Sequence, residues 1–239
     1  MNNPHILYFS VSMKHLILLH GAIGAKDQLA PLADALKDTY TVHSLSFAGH
    51  GGEPFPQSFS IAVFATDVLR YMDACNIMQA DVFGYSMGGY VAMYIARHHA
   101  DRIGKIATLA TKFYWDEATA HKETAMLDAE KIAAKLPAFA NALAKRHSPN
   151  DWKEVLQHTI TMLHAMGQDT PLQIEDYANI QHPCLLLLGD RDKMITLDET
   201  LAVYKALPNA QMGMLPDTPH PIEQVSTTTL AWMLKQFIA

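Results

Sequence analysis

The sequence predicts an α/β fold: a mostly parallel central sheet with helices on both faces and a helical insertion. Continuous apolar runs such as Leu16-Ile17-Leu18-Leu19 and Cys184-Leu185-Leu186-Leu187-Leu188 read as strands buried on both faces. Such runs alternate with stretches whose apolar residues recur every three or four positions, the order that yields parallel sheets flanked by helices. Between 112 and 176 the alternation lapses and only helical patterns remain.

Each element has its own signal. The first strand, 16–19, ends in His20-Gly21, and one more strand is expected upstream at 6–11. Leu29, Leu32, Ala33 and Leu36 follow at helical spacing, with Pro31 tolerable because the first helical turn uses no N–H there. The next strand, 41–47, is closed by Gly49-His50-Gly51-Gly52. Ile61, Phe64, Val68, Tyr71, Met72 and Cys75 form the stripe of a core-facing helix. Asp81-Val82-Phe83 is a strand that leads through Gly84-Tyr85-Ser86-Met87-Gly88-Gly89 into a helix at 90–98, whose end suits His98-His99. A strand spans 103–109. In the insertion, helices are expected at 122–136, 138–145 and 151–166, punctuated by Pro137, Pro149 and Pro171. After the 184–188 strand come a helix at 197–207, a short strand at 212–215 and a final helix at 222–237. The core domain is therefore expected at 1–111 and 177–239, with 112–176 inserted into it.

A chain of 239 residues buries roughly 70% of its unfolded surface, enough for a substantial core. Eighteen Lys and Arg stand against 24 Asp and Glu, a formal net charge of −6, and no basic block occurs. Nucleic acid and anionic membrane are thereby excluded as main partners. No apolar run approaches the ~20 residues needed to span a bilayer, and the N-terminal stretch lacks a signal-peptide pattern. A cytoplasmic location is the expectation. Cys75 and Cys184 show no metal-ligand spacing, and both are expected as buried thiols. No metal site and no cofactor are expected, and nothing speaks to oligomeric state.

Gly84-x-Ser86-x-Gly88 falls where a buried strand gives way to a helix. A sharp strand-to-helix turn lifts the central side chain to the sheet edge, and small residues two before and two after avoid clashes there. A serine hydroxyl is a weak nucleophile and needs a base, itself oriented by a third group. His220, in Pro216-Asp217-Thr218-Pro219-His220-Pro221, follows the last strand at the edge where open α/β sheets place their sites. Gly189-Asp190-Arg191-Asp192 offers two carboxylates directly after a strand. Asp192 is preferred as the acid, and Asp190 is read as holding the turn through backbone hydrogen bonds. The oxyanion of an acyl-transfer intermediate would be met by the N–H groups of Met87 and of Ala22, in the loop after the first strand.

His20-Gly21-Ala22, Phe47-Ala48-Gly49-His50-Gly51, Gly84-Tyr85-Ser86-Met87-Gly88-Gly89, Gly189-Asp190-Arg191-Asp192 and Pro219-His220-Pro221 together resemble the ordered motifs of the α/β-hydrolase superfamily. The resemblance is to its lid-bearing small serine esterases and perhydrolase-like proteins, and runs from 20 to 221. It implies the α/β-hydrolase fold, a lid at the insertion, and Asp192 as the triad acid. Three departures stand out. Fewer residues precede the first His-Gly strand than usual. The family's Asp-x-Pro-Gly-His-Gly is here Ser46-Phe47-Ala48-Gly49-His50-Gly51, and Pro219 replaces the glycine that often precedes the histidine.

The expected activity is hydrolysis of carboxylic esters or thioesters of a small, mainly apolar molecule through Ser86, His220 and Asp192. Carbon–carbon bond hydrolysis, or the lyase step of menaquinone synthesis, is an alternative on the same triad. A dianionic substrate would want several cations, however, and Arg146 is the sole arginine of the insertion. A non-catalytic ligand receptor is a second alternative, although no triad member is missing. His20 and His50 are read as structural. Phe113-Tyr114-Trp115 either lines a pocket or packs the insertion on the core. Met87, Met126, Met162, Met166 and Met194 could give an adaptable apolar pocket, while most of the thirteen methionines fill the core.

Overall fold

Alternate side chains along the strands build two layers around one sheet. The computed structural model describes residues 13–238, and the strand expected at 6–11 lies outside them. Strands β1 (His15–Leu19), β2 (Thr41–Leu45), β3 (Ala80–Tyr85), β4 (Ile103–Leu109), β5 (Cys184–Gly189) and β6 (Ala210–Leu215) form one sheet. Its order is β2-β1-β3-β4-β5-β6, and every pairing is parallel. Leu16, Leu18, Phe83, Leu185 and Leu187 point into one core layer, with α1 (Ala30–Leu36) and α10 (Thr227–Ile238). Ile17, Leu19, Val82, Ile106 and Leu186 point into the other, with α2 (Ile61–Ala74), α3 (Met87–His98) and α9 (Leu197–Ala206). Burial on both faces is why Leu16–Leu19 of β1 and Cys184–Leu188 of β5 are apolar throughout rather than alternating, whereas the edge strand β2 is only partly buried and carries His43 and Ser44.

The chain leaves β1 for the edge strand β2 and returns to β3 on the other side of β1. The strand order reverses there, so the loops after β1 and β3 diverge and leave a crevice above the C-terminal strand ends. Five helices lie between β4 and β5: α4 (Glu117–Thr124), α5 (Ala129–Lys135), α6 (Pro137–His147), α7 (Trp152–Gln168) and α8 (Ile174–Tyr177).

Three expectations need correction here. The single helix foreseen at 122–136 is two, because Asp128 caps a fresh start by accepting from the Lys131 N–H at 3.0 Å. Cys75 is exposed, since α2 ends at Ala74 and Cys75 falls past the last core-facing position; Cys184 is buried as expected. The foreseen last helix also opens differently, with a separate 3-10 turn at Ile222–Gln224 before α10 begins.

Candidate active site

Ser86 sits between β3 and α3 with φ 51° and ψ −118°, a backbone conformation that costs an ordinary residue. Close packing imposes it. A Cβ on Gly88 would lie 2.3 Å from the Leu19 carbonyl oxygen, so only glycine lets α3 start this near β1. The Ser86 N–H donates to Leu109 O at 2.9 Å and Thr111 Oγ1 donates to Ser86 O at 3.1 Å, which ties the turn to the end of β4. Met87 is the first residue of α3, so its N–H has no acceptor within the helix.

His220 Nε2 lies 3.3 Å from Ser86 Oγ, and His220 Nδ1 lies 2.8 Å from Asp192 Oδ2. The other Asp192 oxygen accepts from the N–H groups of Met194 at 2.8 Å and Ile195 at 2.9 Å. Burial alone would raise the Asp192 pKa, but the hydrogen bonds from His220 and from the Ile195 and Met194 N–H groups outweigh it and hold the carboxyl below its ordinary value. The His220 loop is fastened at several points. Tyr85 Oη donates to His220 O at 3.0 Å, and Asp190 Oδ1 accepts from the Thr218 N–H at 3.1 Å. Gly189 admits this approach, because a Cβ there would be 2.0 Å from Thr218 O. Asp190 thus fills the turn-holding place expected of it, one loop away from the imidazole.

The β1 loop closes as a turn, with the Gly24 N–H donating to Gly21 O at 3.1 Å, and Ala22 lines the same cavity as Ser86. His20 is fully buried; its Nδ1–H donates to Gly21 O and its Nε2 accepts from the Phe47 N–H. Burial pushes its pKa down to about 3, which keeps the ring neutral and matches the structural reading. His50 is likewise buried, with Nδ1 bonded to Ala48 O.

Ser86 and His220 open into a cavity of about 270 Å³. All five methionines singled out from sequence (Met87, Met126, Met162, Met166 and Met194) line it. Of the aromatic trio Phe113-Tyr114-Trp115, between β4 and α4, only Trp115 does; Phe113 packs in the core and Tyr114 is exposed. Sequence reasoning passed over Lys112, Glu123, Gln28 and Glu223, which also line the cavity. Of these, Glu123 left a trace in the pattern, lying one turn beyond Ala120 on the buried face of α4. Among the described residues no group of three or more His, Cys, Asp or Glu is placed to hold a metal ion, and no helix is long and apolar enough to cross a membrane.

A stretch of 100 residues, 42% of this chain, is 32% identical to a pimeloyl-[acyl-carrier protein] methyl ester esterase of Neisseria meningitidis serogroup B and spans 37% of that relative. A relative of the same name from Chromobacterium violaceum is 26% identical over 230 residues, covering 88% of this chain and 86% of its own. The crystal structure of an enol-lactonase from Burkholderia xenovorans LB400 superposes with a TM-score of 0.76 at 22% identity, over 95% of this chain and 92% of that one, a likeness of fold. Residues 14–171 match the model of the alpha/beta hydrolase fold, and the chain belongs to that family.

Proposed function

We propose that the protein is a serine hydrolase that cleaves carboxylic esters or thioesters of a small, mainly apolar substrate. The observation that carries this reading is the unbroken chain from Ser86 Oγ through His220 to Asp192, opening into a cavity walled by methionine, leucine and aromatic side chains. In this reading Ser86 Oγ attacks the ester carbonyl and His220 Nε2 takes its proton. Asp192 holds the imidazole with its Nδ1–H toward the carboxylate and stabilises the charge it gains. The carbonyl oxygen, now negative, accepts from the N–H groups of Ala22 and Met87. Collapse breaks the C–O or C–S bond, and His220 returns the proton to the leaving alcohol or thiol. Water, deprotonated by His220, then attacks the acyl-Ser86 ester and releases the acid.

Relatives named as esterases support the ester bond as the target. Helices α4 to α7, within the insertion 112–176, would act as the lid, because Met126, Phe139, Met162 and Met166 from it wall the cavity. Carbon–carbon chemistry on a dianion finds less support. The cavity's two cations, Lys112 and Arg146, are both already held by carboxylates.

The test is a fluorophosphonate probe with wild type and Ser86→Ala, beside p-nitrophenyl esters of increasing acyl length. Ser86-dependent labelling with ester turnover is the expected result. Labelling without turnover would shift the reading to carbon–carbon chemistry. No labelling of folded protein would shift it to a ligand receptor.

A further inference from the structure

One part of the cavity wall has no place in the hydrolytic chemistry. Glu123, on the buried face of α4, is 5% exposed and lines the cavity. Its single partner among the described residues is the Lys112 ammonium, with Nζ 3.6 Å from Oε1, too far for a hydrogen bond. Lys112 sits nearer to Glu199, at 3.3 Å. Glu199 is otherwise well satisfied: it accepts from the Phe113 N–H and from the N–H and hydroxyl of Thr196. Two buried carboxylates therefore share one ammonium, and the one that faces the cavity accepts no hydrogen bond. A buried carboxylate is tolerated when its lone pairs are met by donors. Trp115, beside Lys112 in the same wall, offers none, because its Nε1–H is spent on Lys112 O.

We propose that Glu123 is a specificity-determining residue, which accepts a hydrogen bond from a hydroxyl carried by the ester substrate within the cavity. This rests on the ester-hydrolase reading and narrows it, from plain alkyl esters to neutral esters bearing a hydroxyl. The surplus negative charge of the Glu123–Lys112–Glu199 group works against substrates ending in a carboxylate. A carboxylate is what a fully available lysine would have drawn.

The test is kcat/KM by acid release for two series: methyl esters of ω-hydroxy acids of four to eight carbons, and butyrate mono-esters of diols of the same lengths. Each is set against its hydroxyl-free counterpart and against the half-ester of a dicarboxylic acid. In wild type, one hydroxylated series outpaces its counterpart by about 10- to 100-fold at one length, the range for a hydrogen bond to a charged group. Glu123→Leu removes the preference while p-nitrophenyl butyrate turnover persists, and Glu123→Gln keeps part of it. A merely structural Glu123 would lower Tm and slow all esters alike. Equal rates for hydroxylated and plain esters, or a preference for the half-esters, overturns the proposal and leaves the hydrolase reading intact. No ester turnover, with no Ser86 labelling, removes both.

Discussion

At position 86 the backbone and the side chain make opposite demands. The proposed hydrolysis wants a hydroxyl there, yet φ 51° with ψ −118° is a region that glycine enters freely and other residues enter at a cost of about 1–3 kcal/mol. Ordinarily glycine is less stable than alanine by roughly 0.5–1 kcal/mol. Here the order should reverse: Ser86→Gly is expected to exceed Ser86→Ala in stability by about 1 kcal/mol or more, read from urea midpoints. Equal midpoints would mean that the turn is unstrained. The carboxylate at 192 gives a second test at this scale. Its Oδ1 is committed to two backbone N–H groups, so in Asp192→Asn the amide oxygen must stay there and the NH2 must face His220 Nδ1. That donor forces the imidazole proton onto Nε2, where it can no longer accept from Ser86. On the hydrolase reading kcat/KM for p-nitrophenyl butyrate should fall by roughly 10³–10⁴-fold, with the urea midpoint little changed. A fall below tenfold would show that Asp192 does not set the tautomer.

Between elements, single buried hydrogen bonds decide how the helical segment between β4 and β5 meets the rest of the fold. Tyr90 on α3 is 1% exposed, and its hydroxyl accepts from the Leu172 N–H at 3.0 Å while donating to Leu172 O at 3.4 Å. It fixes the segment that leads from α7 toward β5. Tyr90→Phe leaves a buried N–H without its acceptor, so a loss of about 1–3 kcal/mol is expected, measured by urea unfolding. A change under 0.5 kcal/mol would mean that water or another group replaces the hydroxyl. Such contacts explain which parts of the fold the sequence revealed. Strands β1 and β5 were legible because burial on both faces leaves continuous apolar runs, β4 despite Gly104 and Lys105 in its less buried first half, and the candidate residues Ser86, Asp192 and His220 because each follows a strand in a turn rich in glycine or proline. The split of 122–136 into two helices was not, since neither glycine nor proline interrupts it and the Asp128 cap resembles any surface aspartate. Glu123 and Lys112 escaped for a related reason. A charged residue in an amphipathic helix or after a strand looks solvent-facing until the packing of α4 against α7 encloses it.

The whole molecule carries a cluster of neutral histidines that ties its stability to pH. His20 and His50 have ring centroids 5.2 Å apart, and His147, at the end of α6, is 5.8 Å from His50. His147 Nε2–H donates to Ile23 O and its Nδ1 accepts from the Gly51 N–H, so the neutral ring joins α6 to the loops that follow β1 and β2. Burial is the main cause that lowers all three pKa values; neighbouring histidines add to it at His20 and His50, and Arg146 at His20 and His147. His20 falls to about 3, and His50 well below its ordinary value of 6.5. The unfolded chain then binds protons near pH 6.5 that the native protein refuses, so stability rises with pH across this window. The contribution is present in full well above pH 6.5 and drains away as pH falls toward the native values. From pH 6.5 to 5.5, His20 and His50 together should remove about 2 kcal/mol, roughly 1 kcal/mol each, and His147 adds to this. Urea midpoints at the two pH values give the slope. In His50→Leu the slope should shrink by about 1 kcal/mol per pH unit, whatever the variant's absolute stability, because only the difference between the two pH values is compared. An unchanged slope would show that His50 is already protonated in the native protein, or that water reaches the cluster and screens it.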